Sequence, residues 1–340
     1  MKRLALAHLP TPLQHAVRLG AALGIELWVK RDDATGGPEA GNKVRKLELL
    51  LGDALERGSD TVITCGGVQS NHARATAVLA ASLGLRAVLL LRAPTLEDDH
   101  DGAGIAPDRS HAPLVGNVLI DRLVGAELRL ISAASYERRD ALMDALAARL
   151  RQQGARPYVI PEGGSNGLGA LGYVEAMAEI RGQLDQGLAG GKPFDLVVHA
   201  CGSGGTAAGV ALGAARHGVA RQVCAMAVCA DAPSFEARIS NIIAQARSID
   251  GSLGDPAPWH VDDRAKGPAY AVASDEQRRR IVDAARLSGL VLDPVYTGKA
   301  LCGLWGLCES GAMRARRVLF LHTGGLPGLL AQAASFEGLV

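Results

Sequence analysis

Little in this sequence points to a charged polymer or a lipid bilayer as partner. Lysine and arginine number 36 against 35 aspartate and glutamate, a formal net charge of +1. No long basic run is present, which removes the electrostatic footprint that nucleic-acid binding requires. No apolar run reaches the ~18 residues of a membrane helix. The opening MKRLALAHLPTPL is broken at Pro10 and Pro12 before a signal-peptide core of useful length. A soluble, cytoplasmic protein with no nucleic-acid and no membrane partner is expected. The six cysteines lie mostly inside apolar segments, form no CxxC pair, and are not accompanied by an HExxH. Buried free thiols in a reducing compartment are therefore expected, and no metal site.

What is present is enough apolar material for a large core. With 340 residues, 48% hydrophobic and 21% charged, the chain exceeds common single-domain size, and two packed lobes are expected. The segments ELWVK, TVITC, RAVLLLR, AELRLI, PYVI, PFDLVVHAC, QVCAMAVCA and RRVLFL read as strands, separated by helical periodicities. Helices are expected over residues 42–57, 72–83, 115–124, 135–153, 168–184, 207–217 and 234–249, and Ser274-x-x-Gln277 has the form of a capping box. LVLDPVYTGKALCGL should turn from strand to helix through Pro294, and Ala93 to Pro113 reads as a surface excursion or a lid. Strand, glycine-rich turn, helix, strand is the parallel βαβ pattern. The fold class expected is α/β, two three-layer α/β/α lobes with mainly parallel sheets and a ligand at strand C-terminal ends.

Two stretches concentrate chemistry. Gly41-Asn42-Lys43 places a lysine where a glycine-rich run enters a helix, and Gly66-Gly67-Val68-Gln69-Ser70-Asn71-His72 follows an apolar strand with hydrogen-bonding groups. A lysine buried near another cation has a lowered pKa, as a Schiff-base lysine needs; the bland alternative is a surface lysine, the role its neighbours Arg45 and Lys46 suggest. HACGSGGTAAG is a strand, a glycine loop (Gly202, Ser203, Gly204, Gly205, Thr206) and a helix, which offers backbone N–H groups to a phosphate. It also satisfies G-x-G-x-x-A, with Asp231 closing a later strand, so a dinucleotide site and a merely tight turn both remain open. A lysine with a phosphate loop suggests pyridoxal phosphate. Thr323, just after a strand, could meet a ring nitrogen or be a turn threonine. Tyr296, at a strand-to-helix junction, could donate a proton or simply pack.

Taken in order, KRDD, GNKxRKLE, QSNHxR, PYVIPEGGSNxLGALGYVE, GSGGTxAG, LDPVYTGKA and LFLHTGG resemble the D-cysteine desulfhydrase and 1-aminocyclopropane-1-carboxylate deaminase family over nearly the whole length. The resemblance implies a fold type II, tryptophan-synthase-β-like pyridoxal-phosphate enzyme. It implies residues 1–45 with 156–340 as the large cofactor-binding domain and 46–155 as a small α/β domain. Lys43 would bond the cofactor aldehyde, Asn71 would hydrogen-bond its ring hydroxyl, Gly202 to Thr206 would hold its phosphate, and Thr323 would sit by its ring nitrogen. Ser70, Asn71 and His72 would give main-chain and side-chain donors to a substrate carboxylate, with Ser70 also placed for proton transfer. Tyr270 and Tyr296 match the family's two active-site tyrosines, although Pro268-Ala269-Tyr270 departs from the usual ProGlyTyr. Thr297 stands where the cyclopropane deaminases have glutamate, which favours the desulfhydrase branch.

The function implied is β-elimination on a small amino acid, D-cysteine first, to pyruvate, ammonia and hydrogen sulfide, by a homodimer. L-cysteate sulfo-lyase and cyclopropane deaminase stand as alternatives within the family, an amino-acid racemase and a non-catalytic or NAD-binding protein outside it.

Overall fold

The structure is a computed structural model that describes residues 2–93 and 113–340. The expected excursion from Ala93 to Pro113 lies, apart from its two ends, outside the described residues. Ten strands are formed by the described residues: β1 (Leu13–His15), β2 (Glu26–Lys30), β3 (Thr61–Gly67), β4 (Arg86–Arg92), β5 (Glu127–Ile131), β6 (Pro157–Val159), β7 (Phe194–Cys201), β8 (Ala220–Ala227), β9 (Trp259–Asp262) and β10 (Arg317–Leu321). They make a six-stranded sheet in the order β1-β2-β10-β7-β8-β9 and a four-stranded sheet in the order β5-β4-β3-β6. Every pairing is parallel except β1 with β2. Strand β6 joins the smaller sheet, so that sheet takes a strand from beyond residue 155.

Both sheets are covered on both faces, as parallel sheets require. In β10, Val318 and Phe320 enter one core cluster while Leu319 and Leu321 enter the cluster on the opposite face. In β4, Leu89 and Leu91 pack to one side and Val88 and Leu90 to the other. This period-two division of continuous apolar strands gives each sheet its three layers. Fully burying each such side chain contributes roughly 1.5–3 kcal/mol.

Several expectations need correction. LVLDP forms no strand: Asp293 instead accepts backbone N–H bonds from Val295, Tyr296 and Thr297 and starts the helix Thr297–Glu309. The single helix expected over 135–153 is two, Ala133–Glu137 and Arg139–Gln152, interrupted at Arg138, whose φ of −102° and ψ of 19° leave the helical region. Strands β1 and β9 and the helix Val17–Leu23 carry too few residues to show a period in sequence. Asp231 does not close a strand; β8 stops at Ala227, and Asp231 is an exposed N-cap accepting from Ser234 N at 3.1 Å. The acid that a dinucleotide fingerprint needs is therefore already used as a helix cap. The capping box at Ser274 and Gln277 forms as expected.

The largest correction concerns Arg45 and Lys46, which are 1% exposed rather than surface residues. Arg45 Nη2 and Nε donate to both oxygens of Asp32 at 2.8 and 2.9 Å, and Nη1 to Glu179 Oε2 at 3.0 Å. Lys30 Nζ reaches Glu179 and Gln183, and Tyr173 donates its hydroxyl to Asp32 at 2.6 Å. Burial pushes the Asp32 carboxyl up, but the Arg45 guanidinium and the Tyr173 hydroxyl outweigh it and hold the acid below its ordinary range. Removing one member leaves an uncompensated charge in the core, which costs far more than the pair itself contributes. Arg45→Met is therefore expected to lower unfolding free energy by about 3–5 kcal/mol in chemical denaturation. A loss no larger than that of an ordinary surface substitution would show the network to be dispensable.

Candidate active site

A cavity of about 430 Å³ lies where the C-terminal ends of β3, β4, β7 and β10 converge. Lys43, Ser70, Asn71, His72, Gly202, Ser203, Gly204, Thr206, Tyr270, Tyr296 and Thr323 all line it. Of the expected residues only Gly205 is not in the wall, because its N–H donates to Ser165 Oγ at 3.1 Å behind the loop.

Lys43 is the first residue of the helix Lys43–Glu56. The approach to it is set by Gly41, whose φ of 132° and lack of a side chain let the chain pass against Thr323; a Cβ there would stand 2.9 Å from the Thr323 carbonyl oxygen. Asn42 N donates to that same oxygen at 3.1 Å, tying the lysine segment to the end of β10. Asn42 then bridges the site, its Oδ1 accepting from Lys43 Nζ at 3.0 Å and its Nδ2 donating to Thr206 Oγ1 at 3.0 Å. Lys43 makes no salt bridge among the described residues. Burial, followed by the Arg74 guanidinium, lowers its pKa to about 8.

Ser70 caps the helix Asn71–Ser82, accepting from Ala73 N at 3.2 Å and leaving its own hydroxyl hydrogen free to donate. The His72 side chain does not serve as the expected donor. Thr64 gives its hydroxyl hydrogen to the Ile160 carbonyl at 2.9 Å, so it accepts from His72 Nε2 at 2.8 Å. That assigns the ring proton to Nε2, turned away into the β3 layer. Burial and the nearby Lys43 and Lys46 keep the ring neutral, its pKa well below the usual histidine value.

The two tyrosines face each other, hydroxyl to hydroxyl at 2.7 Å, with ring centroids 6.1 Å apart at 72°. Glycines make room for both rings: a Cβ on Gly67 would lie 3.0 Å from Tyr270 Cε1, and one on Gly202 would lie 3.0 Å from Tyr296 Cε1. Burial, partly offset by its bond to Tyr296, raises Tyr270 to about 12, and burial together with the neighbouring Tyr270 raises Tyr296 further. Both remain protonated at neutral pH. Thr297 is absent from the wall; its hydroxyl donates to Asp293 Oδ1 at 2.7 Å inside the helix cap.

Sequence reasoning missed four contributors. Asn42 was passed over beside the lysine. Lys46 lies under the glycine loop, its Nζ donating to the Gly163 carbonyl at 3.1 Å and to Ser165 Oγ at 3.3 Å. Ser165 joins that lysine to the loop through Ser203 Oγ at 2.8 Å. Glu162 lines the cavity, accepting from Tyr136 at 2.7 Å and pairing with Arg139 at 3.2 Å. Their only signal was a place inside the motifs GNKxRKLE and PEGGSN.

Residues 4–324 match the model of a family described as pyridoxal-phosphate dependent enzymes. The chain belongs to this family. It is 43% identical to the bifunctional D-cysteine desulfhydrase/1-aminocyclopropane-1-carboxylate deaminase of Arabidopsis thaliana, over 98% of this chain and 81% of the relative. It is 40% identical to the D-cysteine desulfhydrase of Klebsiella pneumoniae (strain 342), over 97% of this chain and 95% of the relative. A crystal structure described as an ACC deaminase homologue superposes with a TM-score of 0.85 at 34% identity, covering all of this chain and 97% of that one. The residues present fit pyridoxal phosphate. A buried amine whose pKa is lowered to about 8 suits an aldehyde, and a glycine loop entering the helix Gly205–His217 suits a phosphate. No helix among the described residues is long and apolar enough to cross a membrane.

An amine attacks an aldehyde only when neutral, so its reactive fraction grows as pH rises through its pKa. Covalent attachment of pyridoxal phosphate to cofactor-free protein is expected to accelerate with pH and to be half-maximal near pH 8, followed by stopped-flow absorbance. A midpoint at the ordinary lysine value would mean that Lys43 is solvated, and Lys43→Ala should show no attachment.

Proposed function

We propose that this chain is a lyase that eliminates the β-substituent of a cysteine-like amino acid, D-cysteine first, giving hydrogen sulfide, pyruvate and ammonia. The observation that carries the reading is a single cavity holding the lowered-pKa amine of Lys43, the free hydroxyl hydrogen of Ser70 and the protonated Tyr270–Tyr296 pair. The choice of D-cysteine comes from the names of the relatives.

Bound pyridoxal phosphate would supply an electron sink beside the substrate Cα. Lys43 would hold its aldehyde, Gly202, Ser203, Gly204, Gly205 and Thr206 its phosphate, with Lys46 beneath the loop, Asn71 its ring hydroxyl, and Thr323 its ring nitrogen. The substrate carboxylate would be held at the N-terminus of the helix Asn71–Ser82 by the Ser70 hydroxyl and the main-chain N–H groups of Asn71 and His72. The neutral Lys43 Nζ would accept the substrate Cα proton, or Ser70 Oγ would do so from the opposite face while its own hydroxyl hydrogen passes to the substrate carboxylate. The Tyr296 hydroxyl, kept protonated and hydrogen-bonded to Tyr270, would donate toward the departing sulfur. Water then completes the products, since D-cysteine plus one water equals pyruvate, ammonia and hydrogen sulfide.

We further propose that the enzyme is a homodimer. Leu114, Val115, Leu119 and Leu123 on and before the helix Gly116–Leu123, with Leu326 and Leu330 on the adjoining helix Leu326–Leu330, expose apolar side chains side by side. A patch of this kind marks an association surface.

Purified, cofactor-loaded protein should release sulfide and pyruvate from D-cysteine and little from L-cysteine. Sulfite from L-cysteate, or 2-oxobutanoate from the cyclopropane amino acid, as the dominant product would replace this reading with the corresponding alternative. Tyr296→Phe should retain cofactor but slow turnover by roughly 10²–10⁴-fold; unchanged kinetics would make that tyrosine packing only. The double variant Leu119→Asp with Leu123→Asp should run as a monomer by light scattering, and an unaltered mass would place any interface elsewhere.

A further inference from the structure

The turn that carries Ser70 and Asn71 is clasped from behind by a residue outside the cavity. Asn117, on the helix Gly116–Leu123, is fully buried. Its Nδ2 donates to the main-chain carbonyl of Gln69 at 2.9 Å and to Asn71 Oδ1 at 3.1 Å. Gln69 returns the contact: its Oε1 accepts from Asn117 N at 2.8 Å and its Nε2 donates to the Val115 carbonyl at 3.1 Å.

The two ends of a carboxamide have nearly the same shape, so only partners decide which way each one faces. Here the decision passes along a chain. A main-chain carbonyl can only accept, so Asn117 must present its NH2 to Gln69. The second hydrogen of that NH2 points at Asn71, which must answer with its oxygen. Asn71 lines the cavity, and its own NH2 is the polar end left for it. Without Asn117, either end of the Asn71 amide could face a ligand; with it, only the donor can.

We propose that Asn117 is a positioning residue that fixes the donor end of the Asn71 amide toward the ring oxygen of bound pyridoxal phosphate. The proposal rests on the contact between Asn71 and that ring oxygen proposed above. A donor held at an oxygen favours its deprotonated form, so the orientation of one amide sets the protonation of the cofactor ring over the working pH range.

The test is a pH titration of the visible absorbance of cofactor-loaded protein, with melting temperature measured alongside, for wild type, Asn117→Asp, Asn117→Leu and Asn71→Ala. Aspartate at 117 keeps the shape but has no N–H, so Asn71 should turn its NH2 toward it and present oxygen to the ring. The titration midpoint should then rise by about one pH unit, in the same direction as in Asn71→Ala. Asn117→Leu, which leaves the amide free to adopt either orientation, should give a smaller rise. If Asn71→Ala moves the midpoint and both Asn117 variants melt lower without moving it, Asn117 is a structural clasp and the proposal is overturned while the Asn71 contact stands. If Asn71→Ala does not move the midpoint, the contact itself fails and the proposal falls with it.

Discussion

Holding an ammonium-forming side chain out of water without a salt bridge costs free energy, and among the described residues Lys43 has none. Its one side-chain hydrogen bond among the described residues is to the neutral Asn42, and after burial the largest electrostatic influence is another cation, Arg74, which outweighs the opposing pull of Asp293 and Glu162. The cost is expressed as a lowered pKa, which delivers a neutral amine near physiological pH. The rest of the site presupposes that amine. A glycine loop, a tyrosine pair and the Ser70 turn around a permanently charged lysine could surround a cofactor without being able to bond it.

Within four residues the same helix gives three basic side chains three different fates. Lys43 faces the cavity with no salt bridge among the described residues. Arg45, one hundred degrees onward per residue, turns into the core and is fully paired with Asp32 and Glu179. Lys46 points beneath the glycine loop, where it finds only a carbonyl and a hydroxyl. The Asp32 and Glu179 carboxylates are engaged by Arg45, Lys30 and Tyr173, while Asp293 is taken up by the backbone N–H groups of Val295, Tyr296 and Thr297 and Glu162 by Tyr136 and Arg139, so each of these acids has partners other than Lys43. The ion network and the reactive lysine are thus parts of one arrangement on successive positions of one helix.

The sheets supply the rest by geometry. Parallel strands end together, so Gly66 and Gly67 of β3, Arg92 of β4, Cys201 of β7 and Thr323 just past β10 arrive at one cavity from distant points in the chain. Loops at those ends carry the polar groups, and glycines at Gly67 and Gly202 admit the two tyrosine rings. Because Tyr270 and Tyr296 share one hydrogen bond, the position of either depends on the other.

The order of the longer strands and helices, the parallel α/β class and eleven of the 27 residues that line the cavity were already legible in the sequence. Those features rest on local causes: period-two and period-3.6 burial, a capping box at Ser274, and glycine loops whose conformations few other residues adopt. What stayed hidden depended on partners far away in the chain. Arg45 and Lys46 read as surface residues because nothing within a few positions announces Glu179 or Ser165. The His72 tautomer follows from Thr64 and Ile160, the short strand β9 exists only against β8, and the orientation of Asn71 is decided by Asn117 on another helix. Sequence alone thus determined the elements and the chemical types brought to the cavity. Only the tertiary structure decided which charges are compensated and which way each donor faces, because both are settled by contacts between residues that the chain keeps far apart.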